Sequence, residues 1–399
     1  MSEQEQKIDE TLTRGVAEVI EGEHLKKRLL GGEKLRVKFG IDPTSPSIHL
    51  GRAVSLLKLR DFQELGCEIV FIVGDFTGTI GDTSDKESER PMLDAETVQR
   101  NMETYTIQAA KILDFAGVEV RFNAEWLARL DYKEILGQAE AFSLHDFISR
   151  ENIKKRLDSG KRVSLRELLY PLMQGHDSVV VKSDVEIGGS DQWFNLLAGR
   201  KLQERAGQAP QDILTTDLIL GTDGRKMSSS WGNTINILDE PNDMFGKVMS
   251  LPDTLLESYF IHCTRIPMER VKEFLKADNP RDAKLRLAHE IVSLYHGAKE
   301  AADAEAYFID NFSKGKIPND IPELAVGYEG DTRKFESLES FIVRIGFAAS
   351  KSDARRKIEQ GGVSLDGEKV AAEGFIFDKE AHDGKVLKVG KKDFARIVF

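Results

Sequence analysis

The sequence predicts an α/β protein with a parallel sheet, followed by a helical region and a small α+β region. Three observations predict it. Residues 35–42, LRVKFGID, are an apolar run with the length of a buried strand. After the Pro/Ser turn PTSPS, IHLGRAVSLLKLRDFQELG carries apolar residues at 50, 53, 54, 56, 57 and 59, the period of a helix, and Gly66 ends it. CEIVFIVGDF then reads as a second buried strand, and strand–turn–helix–strand is the seed of a parallel sheet.

The remaining elements follow in order. Residues 95–170 are mostly helical in pattern and read as an insertion into the α/β domain. VVV at 179–181 reads as a further strand, with a helix near QWFNLLAGRKLQE behind it. DILTTDLILGTDGRKMSSSWGN reads as a strand or loop and then a mobile Gly/Ser-rich segment. Residues 240–312 have helical period, punctuated by Pro241, Pro252, Pro267 and Pro280. GKIPNDIPELAVGYEGD, 315–331, has the Pro/Gly content of a linker. These boundaries give an α/β domain over 1–232 with its insertion at about 95–170, a helical domain over 233–320, a linker over 321–335 and a last domain over 336–399.

Composition excludes several classes. At about 100–200 residues per domain, 399 residues make two to four domains. Two cysteines, Cys67 and Cys263, support neither a disulfide framework nor a cysteine zinc cluster, and they suit a reducing compartment. No apolar run approaches the roughly 18 residues of a membrane span, and the polar N-terminus has no signal-peptide core. The expectation is a cytoplasmic protein with no membrane partner. The formal charge is −11, yet the stretch from Lys334 to Phe399 holds 13 basic and 11 acidic residues. Its basic residues cluster at Lys351, Arg355, Arg356 and Lys357, then at Lys385, Lys388, Lys391, Lys392 and Arg396. A local basic face can bind phosphate on an acidic protein, because screening limits distant charge to about 8–10 Å.

Two segments carry chemistry. His49 and Gly51 open the helix that follows the first strand, where unpaired N–H groups and the dipole favour phosphate. Asp42 and Thr44 lie just upstream, at the carboxyl end of the strand, where open α/β sheets bind ligands. H-x-G alone is more often a plain tight turn. The second segment is Gly224-Arg225-Lys226-Met227-Ser228-Ser229-Ser230. Such a loop can close on a leaving pyrophosphate and neutralise developing charge. Alone it would read as a solvated serine loop; with the first segment, at two ends of one domain, it becomes specific.

HLGR at 49–52 and KMSSS at 226–230 resemble the two signature sequences of class I aminoacyl-tRNA synthetases. With FGIDPTSPSIHLG (39–51), VGDFTGTIGD (73–82), YPLMQGHD (170–177) and IGGSDQWFN (187–195), the chain resembles the bacterial tyrosyl-tRNA synthetase family along nearly its whole length. The resemblance implies a Rossmann-type catalytic domain, a helical anticodon-side domain, an S4-like RNA-binding domain and a homodimer. It implies ATP as substrate with Mg²⁺, no tightly bound cofactor and no protein-held metal, and L-tyrosine and tRNA(Tyr) as the other substrates.

Residue by residue, the family pattern puts Asp177 against the tyrosine phenol, with Tyr170 and Gln174 beside the amino end. Asp82 and Gln192 face the amino acid backbone, and Asp42 and Thr77 line the amino acid or adenylate. Thr44 and His49 match the grip on the γ-phosphate end of ATP. Gly51 and Asp191 match adenosine-side contacts, and Gly40 joins the ATP set. Lys86 and Arg90, in DTSDKESER, match a mobile basic pair that closes on pyrophosphate. Lys226 is the first lysine of the second signature, followed by Met227, Ser229 and Ser230.

Three positions depart from the pattern. The first signature usually ends in His and here ends in Arg52. The second usually has lysine where Ser229 stands, and Arg52 could supply some of that charge. The usual phenol-contacting tyrosine is replaced by Lys38, as in the branch with a VKFGIDPT run; Lys38 could donate to the phenol oxygen. At the C-terminal end, SKSDARRKIEQGGVSLDGEKV reads as a helix ended by Gly361-Gly362, then a strand and an Asp-Gly turn. It resembles the S4 motif, with Lys351, Arg355 and Arg356 projecting to RNA phosphates. His289-Glu290 lacks the second histidine of a zinc HExxH, since Ser293 stands there. Trp126, Trp193 and Trp231 read as packing residues, and Asn123 as a pocket-border or core residue. Two rival functions remain at this point, a tryptophan-specific relative and a non-catalytic RNA-binding paralogue. An indole has no phenolic oxygen for Asp177; Ser229 and Arg52 are what would favour the paralogue.

Overall fold

Val37, Phe39 and Ile41 alternate with Lys38 along one strand, and all four are buried. Ile69–Val73 beside it are buried without a break. Strands apolar on both faces belong in a sheet covered on both sides. In the computed structural model they are the centre of a six-stranded sheet: β1 (Val16–Ile20), β2 (Arg36–Ile41), β3 (Glu68–Val73), β4 (Val118–Phe122), β5 (Val185–Gly189) and β6 (Asp212–Thr216). The described residues are 2–84, 92–276, 279–313, 321–328, 335–370, 375–390 and 393–399. The strand order is β1-β6-β5-β2-β3-β4, parallel except for β1, which pairs antiparallel with β6. The in-register pairing of Arg36–Ile41 with Glu68–Val73 sets the end of β2 beside the end of β3.

The helix between them, Leu50–Glu64, buries Leu50, Ala53, Val54, Leu56, Leu57, Leu59 and Phe62. Two expectations are corrected here. VVV at 179–181 is the last turn of the helix Leu165–Val181, and the strand comes four residues later as β5. A short apolar run does not distinguish a buried helix from a buried strand. The stretch 95–170 is mostly helical, as its pattern predicts, but it is not wholly an insertion, because β4 pairs with β3 inside it and belongs to the main sheet. VEVRF alternates apolar and charged residues with period two, the pattern of an edge strand. The helices from Ala124 to Ile148 and Glu151–Asp158 follow β4. Asp131 and Ser143 close capping boxes with Glu134 and Asp146.

The chain divides into two compact units, Met1–Ala304 and Glu305–Phe399. The helices Pro241–Met249, Leu256–Cys263, Met268–Phe274 and Pro280–His296 lie in the first. They are tied to its N-terminal part by Arg14, which donates to the carbonyls of Phe260, Ile261, Thr264 and Ile266. Arg265 adds ion pairs to Asp61 and Glu64. His289 and Glu290 are ordinary residues of the helix Pro280–His296.

The second unit holds β7 (Glu323–Ala325), β8 (Val363–Leu365), β9 (Glu368–Lys369), β10 (Val386–Val389) and β11 (Asp393–Val398), in the order β7-β11-β10-β8-β9. Phe341, Ile342, Ala354, Ile358, Val363, Leu387, Val389 and Ile397 form its core. Asp366 and Gly367, both at positive φ, make the tight turn between β8 and β9. The helix Lys351–Glu359 starts at Ser350, whose hydroxyl accepts from the Asp353 amide, and stops where Gly361 turns left-handed.

Candidate active site

The chain goes from β2 outward to β3 and β4, then returns on the other side as β5 and β6. Open α/β sheets bind ligands at the carboxyl ends of the strands where the order reverses. A pocket lies there, walled by Asp42 after β2, Gly74 after β3, and Gly188 and Gly189 at the end of β5. The helix Leu165–Val181 lends it Tyr170, Gln174 and Asp177, and the segment after β6 closes it with Lys226 to Ser230. Gly74 is required by space: a Cβ there would stand 2.1 Å from Asp42 Oδ1 and 2.3 Å from Thr77 Oγ1.

At the floor, Asp177 is buried and accepts from Trp126 Nε1 at 2.8 Å and Asn123 Nδ2 at 3.3 Å. Burial raises its carboxyl to about 7, against the pull of the Lys38 charge and the two donors. Asn123 also donates to Thr77 Oγ1. Thr77 and Tyr170 in turn donate to the two oxygens of Asp42, at 2.7 and 2.8 Å. The Asp42 carboxyl is half-buried among the protein atoms of the pocket, and desolvation raises it to about 6. The Tyr170 phenol is pushed well up by burial and by the acids around it. On the side wall, Gln192 Nε2 donates to Asp82 Oδ2 at 2.8 Å, and Asn195 holds the Gln192 carbonyl at 3.0 Å.

The rim is built from the two signature segments. His49 caps the helix Leu50–Glu64 and packs over Gly51, where a Cβ would meet the imidazole at 3.0 Å. The Gly51 amide donates to the thioether of Met227 at 3.3 Å, which seats the second signature against the first. The backbone reinforces this, with Leu50 N donating to Ile235 O and Ile237 N to Ile48 O. Lys226 pairs with Asp191 at 3.1 Å, and Ser229 Oγ lies 3.4 Å from Ser45 Oγ. Arg52 donates to Thr44 Oγ1 and Tyr105 OH, both at 2.8 Å. It therefore braces Thr44 and the turn after β2.

The structure gathers Gly40, Asp42, Thr44, His49, Gly51, Arg52, Thr77 and Asp82 around this pocket with Tyr170, Gln174, Asp177, Asp191 and Gln192. Lys226, Met227, Ser229 and Ser230 complete it. Lys86 and Arg90 lie outside the described residues. Lys38 is a correction: it does not line the pocket. Its ammonium is fully buried one layer below, bonded to Gln174 O and Ser178 Oγ at 2.8 Å and to Glu186 Oε1 at 2.9 Å. Three acceptors use all three of its protons, so none is left for a phenol oxygen. Trp126 is more than a packing residue, since its indole N–H holds Asp177. Trp231 is half exposed, with the Arg225 guanidinium over its ring. Sequence reasoning missed Gly74, Glu186 and the role of Trp126; only Gly74, directly after a buried strand, left a sequence signal.

On the second unit, Lys351 is exposed, and about two thirds of the Arg355 and Arg356 side chains face solvent. Arg356 pairs with Asp353 at 2.6 Å within the helix, and Arg355 lies 3.7 Å from Glu339. Among the described residues no group of three or more His, Cys, Asp or Glu is placed to hold a metal ion. No described helix is long and apolar enough to cross a membrane.

Comparison with known proteins agrees with this architecture. The family "tRNA synthetases class I (W and Y)" matches residues 31–313, and "Tyrosine--tRNA ligase SYY-like C-terminal domain" matches 316–397. The chain is 45% identical to the tyrosine–tRNA ligase of Thermotoga maritima over 392 residues, 97% of this chain and 96% of that one. It is 43% identical over 404 residues to that of Dehalococcoides mccartyi strain 195, covering all of both chains. Among solved structures, the Archaeoglobus fulgidus tyrosyl-tRNA synthetase, complexed with L-tyrosine, has the same fold. Its TM-score is 0.60 at 23% identity, over 75% of this chain and 99% of that one. A C-terminally truncated mitochondrial tyrosyl-tRNA synthetase from Coccidioides posadasii gives 0.62 at 24% identity, over 75% and 91%. With both family matches and full-length relatives in agreement, the chain belongs to the class I tyrosine–tRNA ligases.

Proposed function

We propose that the pocket divides its work by depth, the floor selecting tyrosine and the rim handling the phosphates, in an ATP-dependent tyrosine–tRNA ligase. A tyrosine carboxylate oxygen attacks the α-phosphorus of ATP; the bond from that phosphorus to the bridging oxygen breaks, and pyrophosphate leaves. A terminal ribose hydroxyl of tRNA(Tyr) then attacks the acyl carbon, losing its proton, and AMP leaves. Such chemistry needs positioning and charge neutralisation rather than a protein nucleophile.

The observation that carries the reading is the pair of hydrogen-bonded carboxyls at the floor, Asp177 and Asp42, within one pocket whose rim is a helix N-terminus and a lysine-bearing loop. Asp177 takes the phenolic O–H. Asp82 and Gln192, with Tyr170 and Gln174, take the amino end. Thr44 and His49 receive phosphate, Gly51 and Asp191 lie on the adenosine side, and Lys226 exchanges Asp191 for the leaving pyrophosphate. Lys86 and Arg90 are proposed to join it. Mg²⁺ arrives with ATP, since this ion is commonly held through substrate phosphates.

The reading extends to the chain's organisation. Residues 1–232 are the catalytic domain, 233–320 the anticodon-side helical domain and 336–399 the S4-like domain, whose Lys351, Arg355 and Arg356 contact tRNA backbone. The enzyme acts as a homodimer in the cytoplasm. Support for the dimer comes from exposed apolar residues within 132–169, namely Tyr132, Leu136, Leu144, Leu165 and Leu169. Two buried free thiols suit a reducing compartment.

The test is ATP–pyrophosphate exchange driven by tyrosine, phenylalanine or tryptophan. Exchange with tyrosine alone is expected. Exchange with tryptophan would favour the relative of other specificity, and none from folded protein with Mg²⁺ would favour the RNA-binding paralogue.

A further inference from the structure

A lysine and a glutamate buried to this degree are costly. Lys38 on β2 and Glu186 on β5 are 0% and 1% exposed and lie 2.9 Å apart. Replacing such a pair by apolar residues is often neutral or stabilising, so stability alone does not account for its presence. Most of its hydrogen bonds run to the helix that carries Gln174 and Asp177. Lys38 Nζ donates to the carbonyl of Gln174 and to Ser178 Oγ, both in the helix that carries Asp177. Ser178 passes the bond on to Glu186 Oε2 at 3.0 Å. Glu186 Oε1 accepts from the side-chain amide of Gln174 at 3.1 Å, and Gln211 donates to the other oxygen. Gly199 leaves the room for this cluster: a Cβ there would stand 2.4 Å from Gln211 Nε2 and 2.9 Å from Ser178 Oγ.

We propose that the Lys38–Glu186 pair is a positioning device for tyrosine recognition: it fixes which way Gln174 points and which charge Asp177 presents to the phenol. The proposal rests on the reading of Asp177 as the phenol acceptor. Gln174 is held at two points, its backbone carbonyl accepting from Lys38 and its side-chain amide donating to Glu186. Asp177 is one turn further along the same helix. The charged and titratable groups facing it are Lys38 from β2, Glu186 from β5 and Tyr170 from its own helix. Trp126 and Asn123 are its neutral donors. Lys38 is the one cation in that set, and it opposes the burial that favours the neutral acid. A neutral Asp177 would compete as a donor; the anion accepts only. Lys38 therefore acts through Asp177 without touching substrate.

The experiment compares wild type with the double variant K38M/E186M, which removes both charges together so that neither is left buried alone. Tyrosine KM, ATP KM and kcat are read by pyrophosphate exchange from pH 6 to pH 9, with folding checked by thermal melting. Wild-type exchange specific to tyrosine establishes the underlying reading first; its absence would fail that reading, not this one. The double variant is expected to melt as wild type does and to keep ATP KM and kcat. Its tyrosine KM is expected to rise near neutral pH and to recover at higher pH, by about tenfold for each unit that the profile moves. A folded double variant with the wild-type tyrosine KM and profile overturns the proposal. So does a variant weakened equally for tyrosine and ATP at every pH, or one that does not fold, since either result makes the pair structural. E186Q alone separates the two functions: tyrosine KM should rise with no upward movement of the profile, because Lys38 stays.

Discussion

The floor and the rim of the pocket are built on opposite principles. At the floor, Asp177, Asp42, Thr77, Asn123, Trp126 and Tyr170 hold one another in a closed set of hydrogen bonds before any ligand arrives. At the rim, Lys226 and Asp191 are partly exposed partners, and Ser229 touches Ser45 only through a long hydroxyl contact. A floor of fixed donors and acceptors rejects a ligand that lacks the matching group, because its own buried groups would then go unpaired. A rim of exchangeable pairs can follow a phosphate as charge develops on it. On the proposed division by depth, selection and catalysis are separable by substitution.

The largest effect should come from the rim. Lys226→Ala is expected to lower kcat for pyrophosphate exchange by about 100-fold, the order found when one charge-stabilising donor is removed, with tyrosine KM nearly unchanged. Asp177→Asn keeps the shape and the bond from Trp126. It should lower kcat/KM for tyrosine by about 10- to 100-fold, the worth of a hydrogen bond to a charged group, and shrink the preference over phenylalanine. A K226A enzyme with lost selectivity, or a D177N enzyme with intact selectivity, would break the comparison.

The floor should also show itself in stability. Asp42 at about 6 and Asp177 at about 7 stand above ordinary carboxyls. The folded protein then binds more protons than the unfolded chain between about pH 4 and pH 7. Their contribution is fully present below about pH 4 and is lost as pH rises to about 7. The double variant D42N/D177N should lack this part of the slope in denaturant melts between pH 5 and pH 8. Bound tyrosine, donating to ionised Asp177, should raise the melting temperature more at pH 8 than at pH 6. The smallest effect lies in the second unit. Removing Arg355 and Arg356 should leave pyrophosphate exchange intact. It should weaken tRNA binding several-fold and lower its salt dependence by about one per arginine in a log–log plot.

The same contrast explains what could be read from the sequence. The rim is made of two short contiguous segments, HLGR and KMSSS, so its residues announce themselves by adjacency. The β2–helix–β3 unit was legible for the same reason, its periods being local. The floor is assembled from residues after β2, β3 and β4 and from the helix Leu165–Val181, so nothing in the sequence marked Trp126 as the donor to Asp177, 51 residues away. Lys38 was expected to reach the phenol oxygen, but its partner Glu186 lies 148 residues on, and the pairing holds it out of the pocket. VVV at 179–181 misled because a helix packed on a sheet is as apolar as a strand within it.

The most direct test is calorimetric binding of tyrosine, without ATP, to wild type, D177N and K226A. If selection resides in the floor, K226A binds tyrosine as tightly as wild type and D177N binds it about 10- to 100-fold more weakly. Equal weakening in both variants, or loss in K226A alone, would contradict the division of the pocket by depth.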